Sequence, residues 1–323
     1  VDDNSSDGTG SLVRSISKKD RRIRLLHRLD RSGLSSAIKE GLLNATGDLL
    51  AVMDSDGQHQ SNAVVEALQK LKSDNLDLVL GSRFLYASDI KGLSTRRLKG
   101  SSIANNFARI SLANNYSHLT DYMSGFMVMT REACLPYVYK VDVSGFKFLY
   151  ELLAISRGHL VVQEIPLIFE PRKFGRSKLD IAILWDFLIS LLHTLTLRIL
   201  PRRAISFGLV GTSGVIVQLM STEILTKLVL LEFVEALPFS VIIAATSNYL
   251  INNYLTFSAK RLKNWMLLKG LFKYLLVASL PVIANVGLAS SFYSVLDINS
   301  FWSQIAGILV VFIWNYVASS KFV

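Results

Sequence analysis

Leu49-Leu50-Ala51-Val52-Met53-Asp54-Ser55-Asp56-Gly57-Gln58-His59 is the stretch on which the fold turns. Five apolar residues read as a short buried strand, and the chain then changes within one residue to two carboxylates at i and i+2. Carboxylates so spaced at a strand end can converge on one divalent cation, a hard ion that prefers oxygen ligands and can neutralise a diphosphate leaving group. Working outward, Ile23–Leu26, Leu78–Leu80, Phe126–Met129 and Leu160–Ile165 read as further strands. Ser35–Ala45 and Ala63–Leu71 carry apolar residues at the three-to-four spacing of amphipathic helices. Strand and helix in alternation predict an α/β domain, a Rossmann-like and largely parallel sheet covered on both faces. Ligands bind such sheets at the carboxyl ends of the strands, where Asp54 and Asp56 fall.

Composition divides the chain near Arg203. The whole has 35 basic and 25 acidic residues, a net charge of +10, but only 7 basic and 4 acidic residues lie between Ala204 and Val323. A basic, water-compatible domain is thus joined to a segment too apolar to be one. The positive charge suits an anionic substrate or an anionic membrane face. Nucleic acid is not expected as a partner, because the basic residues come with neither a zinc pattern nor a helix-turn-helix pattern. Cys134 stands alone, which excludes a disulfide framework and a thiolate metal site. Val1-Asp2-Asp3 has the character of the end of a buried strand, so further chain is expected before it.

Leu179–Leu200 sets Trp185, Phe187, Leu188, Leu191 and Leu192 against Asp180, Asp186, His193 and Arg198, and predicts one or two helices in the membrane interface. A helix facing the core of the first domain is the alternative. Four spans are expected beyond it, roughly Ile205–Leu230, Pro238–Phe257, Gly270–Leu288 and Phe301–Ser319. Arg202 and Arg203 precede the first span, and Lys260, Arg261, Lys263 and Lys269 lie between the second and third, whereas the opposite loops carry Glu232, Glu235 and Asp297. The excess of Lys and Arg predicts a multi-pass protein of the cytoplasmic membrane with its first domain in the cytoplasm. The expected domains are 1–178, 179–203 and 204–323. Gly208, Gly211, Gly214, Asn248, Asn252, Asn253 and Asn315 suit close helix packing, with a lipid-translocating path as the other reading.

The loop Asp2-Asp3-Asn4-Ser5-Ser6-Asp7-Gly8-Thr9 reads either as a helix-capping turn or as a carboxylate site for a nucleobase. His59 reads as a structural hydrogen-bonder rather than a base. The motif order resembles glycosyltransferase family 2, and within it the dolichol-phosphate mannose synthases and their polyprenyl-phosphate relatives. The residues that carry the resemblance run from Val1–Thr9 through Gly33-Leu34-Ser35, Ala45-Thr46-Gly47-Asp48, Met53–His59, Gly81-Ser82-Arg83-Phe84 and Asp121–Phe126. They continue with Gly145–Glu151, Glu164-Ile165-Pro166, Phe169, Arg172, Gly175 and Ser177-Lys178-Leu179. The apolar half resembles the GtrA-like four-helix membrane domain, with Ser247-Asn248-Tyr249 and Trp314-Asn315-Tyr316 at its Asn–aromatic signatures.

The resemblance implies a GT-A-type fold and an inverting transfer of a hexose, mannose or glucose, from GDP-mannose or UDP-glucose to a polyprenyl phosphate lipid. It implies Mg²⁺ or Mn²⁺ on Asp54 and Asp56, with Gln58 as a further ligand. It implies a nucleotide pocket lined by Asp2 or Asp3 with Arg31 and Gly33, and an acceptor phosphate held by Arg83, Arg97 and Ser101, with Arg172 and Lys178 in a closing loop. The run Arg172–Lys178 also suits a membrane-surface patch. Gln60 in place of a usual Pro, and the apolar Met127-Val128-Met129, depart from the family pattern. A lipid-linked-sugar translocase and a membrane scaffold with a degenerate transferase domain are the competing functions. Read without the family, an anionic phosphate acceptor needs no general base, which suits a motif set rich in Arg and Lys with no His dyad.

Overall fold

Among the described residues, four short strands build one sheet that carries helices on both sides. The computed structural model describes residues 1–29, 33–85, 95–143, 147–168, 181–256 and 261–322, with side chains of 95–99, 182 and 312–322 outside the description. It falls into two compact units, Val1–Leu200 and Pro201–Val323.

In the first unit the elements are α1 (Thr9–Lys19), α2 (Leu34–Asn44), β1 (Leu49–Val52), α3 (Asn62–Ser73), β2 (Leu78–Ser82), α4 (Thr95–Ser111), β3 (Met127–Thr130), α5 (Arg131–Val138), α6 (Phe148–Ser156), β4 (Val162–Pro166) and α7 (Ile181–Leu195). The strand order is β1-β3-β2-β4. β2 is buried along its whole length, and its period-two side chains part into two cores. Leu78 and Leu80 join Met127, Met129 and Leu50 beneath α2, α5 and α6. Val79 joins Val128, Phe126 and Ile165 under the Ala63, Ala67 and Leu71 face of α3.

The expected largely parallel sheet is corrected here. β3 runs antiparallel to both β1 and β2, and only β2 and β4 pair in parallel. An apolar run does not encode strand direction; the connection does. Ser124 donates its hydroxyl to the Gly81 carbonyl at 2.6 Å, and Gly81 N–H donates to Phe126 O at 3.2 Å, so the chain enters β3 at the edge where β2 leaves. Ile23–Leu26 forms no strand; a single parallel bridge joins Asp2 and His27. Helices α1, α4, α5 and α6 were not read from the sequence.

α7 packs on the first unit: Leu191 joins the Leu78 core, and Phe187 meets Tyr150 edge-on at 5.7 Å. Beyond it the chain turns through left-handed Leu197 and Arg198, and Arg198 pairs with the buried Glu151 carboxylate at 3.0 Å.

Among its described residues the second unit holds four helices, α8 (Arg202–Lys227), α9 (Phe233–Ile251), α10 (Asn264–Ser294) and α11 (Ser300–Phe322), and α9 ends in a π-helical turn at Asn252–Thr256. The first three are long and apolar enough to cross a membrane, and the described side chains of the fourth form the shorter apolar run Ser300–Val311. Each helix contributes to one buried polar network. The Thr222 hydroxyl lies within hydrogen-bond distance of Gln304 Oε1, at 2.9 Å, and of the Ser240 hydroxyl, at 2.8 Å, while Asn285 donates to Gln218 at 3.2 Å. Gly214 leaves room for the Asn248 side chain packed against it. Asn253 closes a two-way bond with the Leu262 backbone, at 3.1 and 2.9 Å. Apolar chains alone give helices in lipid little preference for one partner over another, and such bonds fix the register.

Leu78 lies fully buried at the centre of the sheet. Leu78→Ala is expected to lower the stability of the first unit by about 2–5 kcal/mol, whereas Val65→Ala on the exposed side of α3 should have little effect. Denaturant unfolding of the detergent-solubilised chain, followed by far-UV circular dichroism, measures both.

Candidate active site

β1, β2 and β4 end, and β3 begins, along one edge of the sheet, and that edge gathers the charged groups. Asp54 lies two residues beyond the end of β1. Its backbone N–H donates to His59 Nδ1 at 3.3 Å, and Asp56 Oδ1 accepts from Gln58 N–H at 3.1 Å, so the turn closes on itself. His59 is buried and meets Phe126 edge-on at 5.8 Å. Burial lowers its pKa against the pull of Asp54 and Asp56, which keeps the ring neutral with Nδ1 as acceptor and suits a structural role. A Cβ built on Gly125 would lie 2.7 Å from Asp54 Oδ2, so any larger residue where the chain enters β3 would push this carboxylate aside.

Arg83 leaves the end of β2 and is held along its Nε–Nη2 edge by Asp121, at 2.6 and 2.8 Å. Asp121 has no exposed surface, and it also accepts the backbone N–H groups of Arg83 and Met123. It is itself positioned from β4: Glu164 accepts the N–H groups of Thr120 and Asp121 and the Thr120 hydroxyl, each at 2.9 Å. Burial raises the Glu164 pKa, opposed by those same bonds. For Arg83, burial is outweighed by Asp121 and then Asp54, and its pKa stands above the ordinary value.

Lys147, at the start of α6, shares this field. Burial, then the Arg83 charge, pushes its pKa down to about 8, against the attraction of Asp121 and Asp54. The edge therefore joins Asp54 and Asp56 with two cations, one always charged and one poised near neutrality, a setting for a multiply charged phosphate ligand.

The acidic residues of the first loop form a cluster of their own. Asp2 is turned inward, held by Ser5 Oγ at 2.5 Å and His27 Nδ1 at 3.0 Å. Asp3 accepts from Arg28 Nε at 2.6 Å and from Gly33 N–H at 3.1 Å. Their pKa values lie below the usual carboxylate range, Asp2 chiefly through Ser5 and Asp3 chiefly through Arg28. Arg28 is almost wholly buried and also reaches Ser36 and Glu40. Gly33, at φ 123°, takes a backbone conformation that side chains disfavour.

Of the residues named from sequence, Asp54, Asp56, Gln58 and Arg83 lie in or beside the turn at the sheet edge, and Asp3 and Gly33 lie in the Arg28 cluster. Ser101 is half-buried on α4; the Arg97 side chain, Arg31, Arg172 and Lys178 lie outside the described residues. Sequence reasoning gave no separate role to Asp121, Glu164 or Lys147, although each stood inside a quoted motif. Arg28 and His27 carried no motif signal at all.

Residues 1–135 match the family described as glycosyl transferase family 2, and residues 206–323 match the GtrA/DPMS transmembrane domain. A relative from Pyrococcus furiosus, described as a dolichol-phosphate mannosyltransferase, is 27% identical over 287 residues, covering 88% of this chain and 78% of that protein. One of the same description from Mycosarcoma maydis is 32% identical over 195 residues, covering 60% of this chain and 64% of that protein, short of two thirds of its length. Among solved structures, glucosyl-3-phosphoglycerate synthase from Mycobacterium tuberculosis in complex with phosphoglyceric acid is similar at a TM-score of 0.44 and 17% identity, over 60% of this chain and 67% of that one.

Two outcomes test the geometry. Gly125→Ala should displace the Asp54 carboxylate and depress turnover while leaving the unfolding transition of the first unit nearly in place, measured side by side. Lys147 is protonated below about pH 8, so kcat/KM should fall as pH rises through that value, and Lys147→Met should remove this limb of the profile. The sign for stability is separate. A lysine pKa depressed from 10.5 means stability fully present above 10.5 and lost as pH falls through about 8.

Proposed function

We propose that this chain, in which a glycosyl transferase family 2 domain is joined to a GtrA/DPMS transmembrane domain, transfers mannose from a nucleotide-sugar to the phosphate of a polyprenyl lipid. The observation that carries the reading is the sheet edge where Asp54 and Asp56 meet the Arg83–Asp121 pair and Lys147. The two relatives described as dolichol-phosphate mannosyltransferases support mannose as the sugar, and GDP-mannose as the donor to offer first.

The acceptor is already an anion. Its phosphate oxygen attacks the anomeric carbon, the new C–O bond forms as the bond to the donor diphosphate breaks, and the diphosphate departs with the electron pair. No proton has to be removed, which agrees with a His59 that is buried and whose Nδ1 already accepts the Asp54 N–H. Mg²⁺ or Mn²⁺ would be held by Asp54 and Asp56 with Gln58, and when bound would neutralise the departing diphosphate. The donor set fits that ion. Among the described residues no three acidic, His or Cys side chains cluster, and Mg²⁺ commonly takes one or two carboxylates and completes its shell with substrate phosphate and water. Asp121 holds one edge of the Arg83 guanidinium in a fixed direction, so its charge is aimed before substrate arrives. Lys147 gains its proton fully in the field of bound phosphates.

The three apolar helices and the match to a transmembrane domain make the chain a membrane protein, and the basic residues Arg202, Arg203, Arg261, Lys263 and Lys269 support an orientation with the transferase domain on the cytoplasmic side. The spans anchor the site where the lipid phosphate already lies.

Full-length protein in proteoliposomes with polyprenyl phosphate is expected to form labelled lipid from GDP-mannose in preference to UDP-glucose, and to lose the activity in chelator. Asp56→Ala should lower turnover at least about tenfold, or about 1.4 kcal/mol in barrier. Full activity of that variant in chelator would remove the metal from the reading, and no transfer from either donor would remove the transferase itself.

A further inference from the structure

α6 begins beside the sheet-edge site and runs on through the interior. Every residue of it except Ile155 is buried, and Glu151, 1% exposed, is its one charged side chain. Apolar packing has no direction of its own, so such a helix is held against sliding or turning by shape and by its polar ties. Register matters here because Lys147 caps the helix. The Lys147 carbonyl accepts the Glu151 N–H at 3.2 Å, and the Lys147 side chain shares the field of Arg83, Asp121 and Asp54. Two of the ties are neutral, Tyr150 to Ser111 at 2.8 Å and Ser156 to Tyr116 at 2.6 Å.

Two more come from one place, the turn that ends α7. Arg198 Nη2 donates to Glu151 Oε2 at 3.0 Å, and Arg157, the C-terminal cap of α6, donates to the Leu197 carbonyl at 3.4 Å. The turn is closed on itself. Arg198 N–H donates to the His193 carbonyl at 2.8 Å and Leu197 N–H to the Thr194 carbonyl at 2.9 Å, while His193 Nδ1 lies 2.8 Å from the Leu200 carbonyl. Such a helix ending usually has glycine in its left-handed position, yet Leu197 and Arg198 stand there at φ 53° and 64°. Side chains disfavour that conformation, and it persists only where the surroundings impose it. Nor is the ion pair arranged for stability. Apolar residues packed in place of a buried pair are often at least as stable, and among the described residues the buried Arg198 Nη1 has no partner. What the pair supplies is direction, a bond at one fixed point of α6, a single helical turn from Lys147.

We propose that Glu151 and Arg198 are positioning residues of the transfer reaction: the turn ending α7 grips α6 and so fixes where Lys147 meets the substrate phosphates. Both act through Lys147 rather than on substrate. The inference rests on the transferase reading, since the phosphates that Lys147 meets are those of the donor and acceptor.

A double-mutant cycle in the full-length protein, reconstituted in proteoliposomes with labelled GDP-mannose and polyprenyl phosphate, tests it. Glu151→Gln keeps the shape and removes the charge, and should lower kcat/KM by about tenfold to a hundredfold, as small displacements of a reacting group do. Arg198→Met should do the same. In a Lys147→Met background neither change should lower kcat/KM further, because the group they position is already gone. A merely structural pair would add its loss in full to that of Lys147→Met, and such additivity overturns the proposal. Wild-type kcat/KM in both single variants overturns it too. The combined Glu151→Gln and Arg198→Met protein buries neither charge alone, so it guards against loss of the fold. It should unfold near the wild-type transition yet keep the kinetic defect, and full turnover in it would count against the proposal. Hydrogen exchange on the same variants needs no substrate: amides of α6 should exchange faster and those of α3 should not, and unchanged exchange in α6 overturns the grip itself. No transfer by the wild-type chain would remove the mannosyl reading and this inference together, whereas transfer with additive losses removes this inference alone.

Discussion

A chain of buried charge from Glu164 through Asp121 to Arg83 is the constraint on which the site depends. A guanidinium cannot be shed as a neutral group, and burying it without a partner would cost far more than any packing around it returns. Asp121 supplies that partner in a two-bond geometry, and Glu164 fixes the loop that carries Asp121 by accepting its backbone donors. Replacing such a pair by apolar residues need not weaken a fold, so its presence at a strand edge points to use rather than to stability. Removing one member would leave the other charged and unpartnered.

The same edge shows why the antiparallel strand matters. Because β3 begins where β1 and β2 end, Gly125 and Phe126 arrive beside Asp54 and His59 instead of at the far side of the sheet. One direction reversal thereby brings the Asp-Tyr-Met-Ser-Gly-Phe segment, 67 residues beyond Asp54 at its first residue, into contact with the acidic turn. Ser124 secures the entry by bonding across to Gly81.

The membrane unit solves a different problem. Its helices expose apolar surface outward, as lipid requires, and keep Gln218, Thr222, Ser240, Asn285 and Gln304 inside. Of the Asn residues singled out in the sequence, those whose side chains are described have packing or hydrogen-bonding uses within the unit: Asn248 packs against Gly214, Asn252 accepts the Thr256 hydroxyl and Asn253 bonds the Leu262 backbone. Their pattern in the sequence allowed a packing use or a path for lipid, and the described contacts supply the former.

Hydrophobic period and abrupt charge changes were sufficient for much of the chain. β1, β2, β3 and β4, helices α2 and α3, and the four helices after Arg202 are legible as runs, because burial on a strand or in lipid imposes a local pattern that needs no partner to be seen. The acidic turn at Asp54–Asp56 was legible for the same reason. What the runs did not carry is whatever depends on residues distant in sequence: the direction of β3, the Asp121 grip on Arg83, the support from Glu164, and the field that lowers the Lys147 pKa. α4 is the sharpest instance. Its apolar residues have a helical spacing, yet period alone cannot say whether a stripe faces the core or the outside. Only the packed sheet domain, by taking Asn105, Ala108 and Leu112 inward, decides that Ile103, Phe107 and Ile110 face out.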